Sequence, residues 1–166
     1  MKILALDQAS SKTGFSIYNE NKKLLKYGVF DIHDIDEKHN GSLFYQEKIE
    51  NVKMFLDRII CEYTIDLVVI EDIQSQSNIN TYKKLAWLQG VLIQYLYSNK
   101  IQFKILSPSE WRKILKIKGK SRKRVDIKLA TQEYVKTIFE IEASEDECDA
   151  ICIGKAYTQL TTKENK

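Results

Sequence analysis

Ile3-Leu-Ala-Leu-Asp7 is an apolar run closed by a carboxylate, and Gln8-Ala-Ser-Ser-Lys-Thr-Gly14 ties it tightly to an alternating run around Phe15 and Ile17. A charge at the end of a hydrophobic strand is costly to desolvate unless it is paired or coordinates a cation. Residues 2–8 and 13–19 therefore read as two strands around a polar connection. A third strand spans 24–32 through Leu24, Leu25, Val29 and Phe30, with the turn formers Ser10, Gly14, Asn19 and Asn21 at or between the runs. Three consecutive antiparallel strands follow from this pattern.

Beyond a polar loop containing Asp34, Asp36, Asn40 and Gly41, the positions Leu43, Phe44, Ile49, Val52, Phe55, Leu56, Ile59 and Ile60 fall at helical spacing. The amphipathic helix over 43–62 leads to Asp66-Leu-Val-Val-Ile70. That β-branched run reads as a central strand covered on both faces, and Glu71 closes it. A helix over 81–98 carries Leu85, Leu88, Val91, Leu92 and Leu96, and Gln102-Phe-Lys-Ile-Leu106 reads as a short strand. Ser107, Pro108 and Glu110 form a capping-box signature for a helix carrying Trp111, Ile114 and Leu115. Two more helices are expected over 122–139 and 145–160, the last with Ser144 and Glu147 repeating the cap. The class is α/β, a single domain over 1–160 with a frayed tail over 161–166 and no internal repeat.

With 43% apolar and 30% charged residues in 166, the chain reads as globular and large enough for one continuous core. Net charge is only +3, so the total says little about partners. Its distribution says more: from Lys104 to Lys128, ten Lys or Arg residues face two acids, Glu110 and Asp126. The stretch Lys116-Ile-Lys-Gly-Lys-Ser-Arg-Lys-Arg124 is dense enough to hold a polyanion, and equally suits a solvated basic loop. Cys61, Cys148 and Cys152 form no Cys-x-x-Cys pair, and the last two lie one helical turn apart, poorly placed for a disulfide. His33 and His39 lack zinc spacing. Neither a signal peptide nor a membrane-spanning run stands out, which points to a cytoplasmic protein with free thiols.

Four acids occupy positions where apolar residues are usual: Asp7, Glu71, and Asp146 with Asp149 at the head of the last helix. Residues three apart on a helix share a face, so Asp146 and Asp149 can point at one site beside the packing row of Ile151, Ile153 and Ala156. Plainer readings stay open: Glu145 and Glu147 suit a helix N-terminus, and Asp72 shows that acids are tolerated after the strand. Hard oxygen ligands from separate elements favour magnesium or manganese over zinc. Two such ions ~4 Å apart would activate water and stabilise the leaving oxygen in phosphodiester hydrolysis.

Asp7-Gln-Ala-Ser-Ser-Lys-Thr-Gly14 before a strand, Ile70-Glu71 after one, and Asp146-Glu-Cys-Asp149-Ala150 opening the last helix resemble the signatures of RuvC-like Holliday junction resolvases, in order and spacing along nearly the whole chain. The resemblance implies an RNase H-like fold: a five-stranded mixed sheet, three antiparallel strands and then parallel ones, flanked by helices. It also implies a homodimer nicking opposing strands of branched DNA, in recombination and repair. Asp7, Glu71, Asp146 and Asp149 would be the catalytic, metal-binding acids, with two Mg2+ per site, Mn2+ an alternative and no small-molecule cofactor. Gly119-Lys-Ser-Arg-Lys123 resembles the loop whose lysine lies near the scissile phosphate, Lys123 being the best match and Lys120 the next. Lys116, Lys118, Lys120, Arg122, Lys123 and Arg124 would bind DNA backbone, with Gln74 near the junction.

The chain departs from the cellular pattern at Gln74, where an aromatic often stands three residues after the second acid. Stacking there is lost; Tyr82 could substitute from the next helix turn, but reads more readily as an exposed or core tyrosine. The short, Lys- and Ile-rich chain is similar to phage-encoded relatives, placing it in a host cytoplasm. Competing expectations are an RNase H-type nuclease on RNA–DNA hybrid, a junction-binding protein that does not cut, and an actin-like kinase or ATPase. The kinase is disfavoured because no second phosphate loop is present, and the non-cutting binder because unshielded carboxylates repel phosphates.

Overall fold

The computed structural model describes residues 1–9, 11–31, 37–74 and 78–164, with backbone alone at 37–45 and 163–164. Ser10, His33, Asp34 and Asp36 lie outside the described residues, as do the side chains of His39, Asn40, Leu43 and Phe44. Five strands form one sheet in the order β3-β2-β1-β4-β5. β1 (Ile3–Asp7), β2 (Lys12–Tyr18) and β3 (Leu24–Asp31) are the antiparallel meander expected from the alternating runs. β4 (Leu67–Glu71) pairs parallel with β1, and β5 (Gln102–Leu106) pairs parallel with β4.

Alternation along the central strands divides the core into two layers. Leu4, Leu6, Val68 and Ile70 face α1 (Glu37–Tyr63) and α2 (Ile79–Ser98), meeting Val52, Phe55, Leu56, Leu88, Leu92 and Leu96. Ile3, Ala5, Leu67 and Val69 face the other way, onto Trp111 and Leu115 of α3 (Pro108–Leu115), Val135 of α4 (Arg124–Phe139) and Ile151, Cys152 and Ala156 of α5 (Glu145–Glu164). Helices cover both faces, so β1 is buried at every position, and β4 at all but Glu71.

Two boundaries differ most from expectation. α1 begins at Glu37, so Asn40 and Gly41 are helical rather than part of the loop. Their poor propensity costs about 1 kcal/mol at most per residue, which a long helix absorbs. α5 continues to Glu164, so 161–164 are helical where a frayed tail was expected; the hydroxyls of Thr161 and Thr162 donate to the Thr158 carbonyl at 3.2 and 2.9 Å. α5 is also fastened to the sheet. Ser16 Oγ donates to the Ala150 carbonyl at 2.7 Å and Tyr18 Oη to the Ile151 carbonyl at 2.8 Å. Gly154 admits the Tyr18 ring, since a Cβ there would stand 2.5 Å from its Cε2. Among the described residues no helix is long and apolar enough to cross a membrane.

Candidate active site

β1 and β4 are parallel neighbours, with Leu6 opposite Ile70, so their last residues, Asp7 and Glu71, leave the sheet side by side at its carboxyl end. Open α/β sheets present their ligand crevices at that end. The first turn of α5 reaches the same place, and Asp7, Glu71, Asp146 and Asp149 line one cleft of about 550 Å³. All four acids picked out from the sequence therefore converge.

Local chemistry sorts the acids at the head of α5. Glu147 is taken by the cap: its Oε2 accepts from the Ser144 amide at 2.8 Å and from Ser144 Oγ at 2.7 Å, while its own amide donates back to Ser144 Oγ. Glu145 pairs with Lys128 of α4. Asp146 and Asp149, three residues apart, are left for the cleft.

Burial, and crowding by one another's charge, raises the proton affinity of Asp7, Glu71 and Asp149. Burial pushes the Asp7 carboxyl well above its ordinary range, and the charges of Glu71, Asp149 and Asp146 push the same way. Burial also raises Glu71, against the hydrogen bond that Trp111 Nε1 donates to Glu71 Oε1 at 2.7 Å. Asp149 is pushed up to about 7, by burial first and then by Glu71, with Lys128 and Arg112 opposing. A cation among them would relieve both causes, and an all-oxygen donor set suits a hard divalent ion. Among the described residues no three acidic, histidine or cysteine side chains already close on one point as a finished metal shell. Asp7 and Glu71 are in hydrogen-bond contact, and Asp146 and Asp149 line the same cleft.

Cations share the lining. Arg122 and Arg124, both expected to bind DNA, line the cleft, and Gln74 stands exposed at its mouth. Lys116, Lys118, Lys120 and Lys123 are exposed but do not line it. Lys116 takes a left-handed conformation (φ 60°) as the C-cap of α3. Lys123 is the N-cap residue of α4, its amide bonded to Ser121 Oγ at 3.1 Å. Two cations that the sequence reading did not select, Arg112 and Lys128, complete the lining. Helical spacing held the signal for Lys128, which falls one turn after Arg124.

Two amides tie the acid-bearing strands to α2. Gln8 Nε2 donates to the Leu85 carbonyl and Gln89 Nε2 to the Glu71 carbonyl, both at 3.2 Å. The side-chain oxygen of Gln8, Oε1, is buried without a hydrogen-bond partner among the described residues.

The sequence profile described as "Crossover junction endodeoxyribonuclease RuvC" matches residues 3–156. The curated RuvC protein of Rickettsia typhi is 24% identical over 166 residues, covering 98% of this chain and 99% of its own length. That of Rickettsia conorii is 25% identical with the same coverage. Among solved structures, T. thermophilus RuvC in complex with Holliday junction substrate superposes with a TM-score of 0.75 at 12% identity, over 98% of this chain and 96% of that one. Fowlpox virus resolvase with its substrate Holliday junction DNA gives 0.61 at 14% identity, over 97% and 99%. These structural likenesses establish the RNase H-like fold, with its five-stranded mixed sheet between helices. With its profile matched over nearly the whole sequence, the chain belongs to the RuvC family of crossover junction endodeoxyribonucleases.

Proposed function

We propose that this chain is a magnesium-dependent endonuclease that resolves Holliday junctions by hydrolysing one phosphodiester bond in each of two opposing strands. The convergence of Asp7, Glu71, Asp146 and Asp149 in one cleft that Arg112, Arg122, Arg124 and Lys128 also line, in a member of this family, carries the reading. The four acids hold divalent metal, two Mg2+ per site, with Mn2+ able to replace it. Bound there, the metal supplies water activation and stabilisation of the leaving oxygen.

The remaining work belongs to the chain. Arg122 and Arg124 at the cleft and Lys116, Lys118, Lys120 and Lys123 on the surface before α4 grip the DNA backbone, bringing a phosphate against the acids. Lys128, inside the cleft and paired to Glu145, is better placed than Lys123 to offset charge developing on that phosphate. Two copies act together, one per nicked strand. The exposed side of α2, with Ile79, Tyr82 and Tyr97, offers an apolar surface for that pairing.

The deciding experiment incubates purified protein and Mg2+ with a four-way junction, a fork, a flap and an RNA–DNA hybrid. Symmetric nicks in the junction are expected. A junction bound well and left uncut rejects the reading, and preferential cutting of the hybrid reassigns the enzyme to an RNase H-type role.

A further inference from the structure

We propose that Trp111 is a positioning residue for Glu71: its indole N–H fixes the carboxylate so that the metal-binding face of Glu71 is set before any ion arrives. This rests on the reading of Glu71 as a metal-holding acid. Trp111 is wholly buried, and its Nε1 donates to Glu71 Oε1 at 2.7 Å. A buried indole N–H requires an acceptor, but bulk packing alone does not require that acceptor to be an acidic side chain at the mouth of a cleft. Here it engages one carboxylate oxygen, which restricts rotation of the group, while the carboxyl of Asp7 also hydrogen-bonds Glu71.

The elements behind Trp111 are rigid in a way that suits this task. Ser107, Pro108 and Glu110 cap α3 one turn earlier, with the Ser107 amide on Glu110 Oε2 at 2.8 Å and the Glu110 amide on Ser107 Oγ at 3.3 Å. The Trp111 ring packs in the core with Val69, Leu106 and Ile151. On the backbone side, Gln89 Nε2 holds the Glu71 carbonyl, so Glu71 is gripped at both ends by groups that ligate nothing themselves. The indole also seats a cation: the Arg112 guanidinium lies 5.0 Å from the Trp111 ring centre and lines the same cleft. One buried side chain thus orients an acid with its edge and a base with its face. Hydrogen-bonding groups outside the coordination shell commonly set metal affinity by about tenfold to hundredfold.

The test uses two readouts that packing alone would not move. In 15N-labelled protein the two indole signals, of Trp87 and Trp111, are assigned with Trp87→Phe. The Trp111 proton should be shielded from exchange and should shift on titration with Mg2+ alone. In Trp111→Phe, which keeps an aromatic ring and loses the donor, Mn2+ binding should weaken about tenfold or more. Junction cutting should lose kcat in that variant with KM for DNA unchanged. An indole signal indifferent to Mg2+, or a Trp111→Phe protein that binds Mn2+ and cuts within twofold of wild type, overturns the proposal. Should that variant not fold, the indole titration of the unaltered chain decides alone. Failure of the unaltered chain to cut any junction would count against the functional reading, and the indole response would still report the contact.

Discussion

Gly14 lies beneath Asp146: a methyl group at Gly14 would stand 2.6 Å from the carbonyl carbon of Asp146. Gly14 is also the cross-strand partner of Asp7, so one residue without a side chain lets the head of α5 settle beside the end of β1. Gly14→Ala should therefore displace the helix that carries two of the four acids. The expected loss is about 1–3 kcal/mol in a urea melt, as for other overpacked sites, with junction cutting reduced at least tenfold. A variant melting and cutting like the parent would show that the contact is easily relieved.

The pH dependence of the metal-free protein has a definite sign. Asp7 is held well above the ordinary carboxyl range and Asp149 at about 7, both chiefly by burial. The folded state keeps protons that the unfolded chain releases near pH 4. Stability from these groups is thus fully present below that range and is lost as pH rises, through about 7 for Asp149. In EDTA the protein should melt several degrees lower at pH 8 than at pH 5, and Mg2+ should restore most of the difference at pH 8. Equal melting temperatures at both pH values without metal would contradict the crowding of these acids.

Asp7→Asn and Glu71→Gln remove charge from the same cluster and should raise the melting temperature in EDTA, by about 2–4 °C for each kcal/mol of relieved repulsion. Both should abolish cutting while preserving or improving junction affinity, because phosphate then meets fewer carboxylates. Turnover within threefold of wild type in either variant would remove that residue from the chemistry.

Lys128 and the surface lysines should separate kinetically. Lys128 opposes the rise of Asp149, so Lys128→Ala should move the acid limb of the pH–rate profile upward at limiting Mg2+ and lower kcat at pH 7. Lys116→Ala and Lys118→Ala should weaken binding and reduce the slope of log affinity against log salt by about 1 each, with kcat kept. A Lys128→Ala profile superposing on the parent's would sink the assignment.

Much of this arrangement was legible in the sequence because it rests on local rules. Period-two alternation marked β1 to β3, and both Ser-x-x-Glu caps formed as expected, at Ser107 with Glu110 and Ser144 with Glu147. Asp7 and Glu71 stood out because charge at the end of an apolar strand is costly, and they do meet. The cations were harder to place. A run of Lys and Arg carries no periodicity that tells cleft from solvent, and only the turn at Lys116 and the start of α4 decide that Arg122, Arg124 and Lys128 line the cleft. Trp111 was legible as an apolar helix position, but its partner 40 residues away was not. No local pattern encodes which buried donor meets which acceptor across a sheet.

The hooks from Ser16 and Tyr18 onto the α5 carbonyls bear on how substrates are chosen. The wall that carries Asp146 and Asp149 cannot yield without breaking bonds to the sheet, so adaptation at that wall falls to the nucleic acid. Bending an intact duplex to fit a fixed site costs of order 1–6 kcal/mol. A strand exchange point arrives already interrupted. Stiffness of the protein thereby becomes a filter on the shape of the DNA.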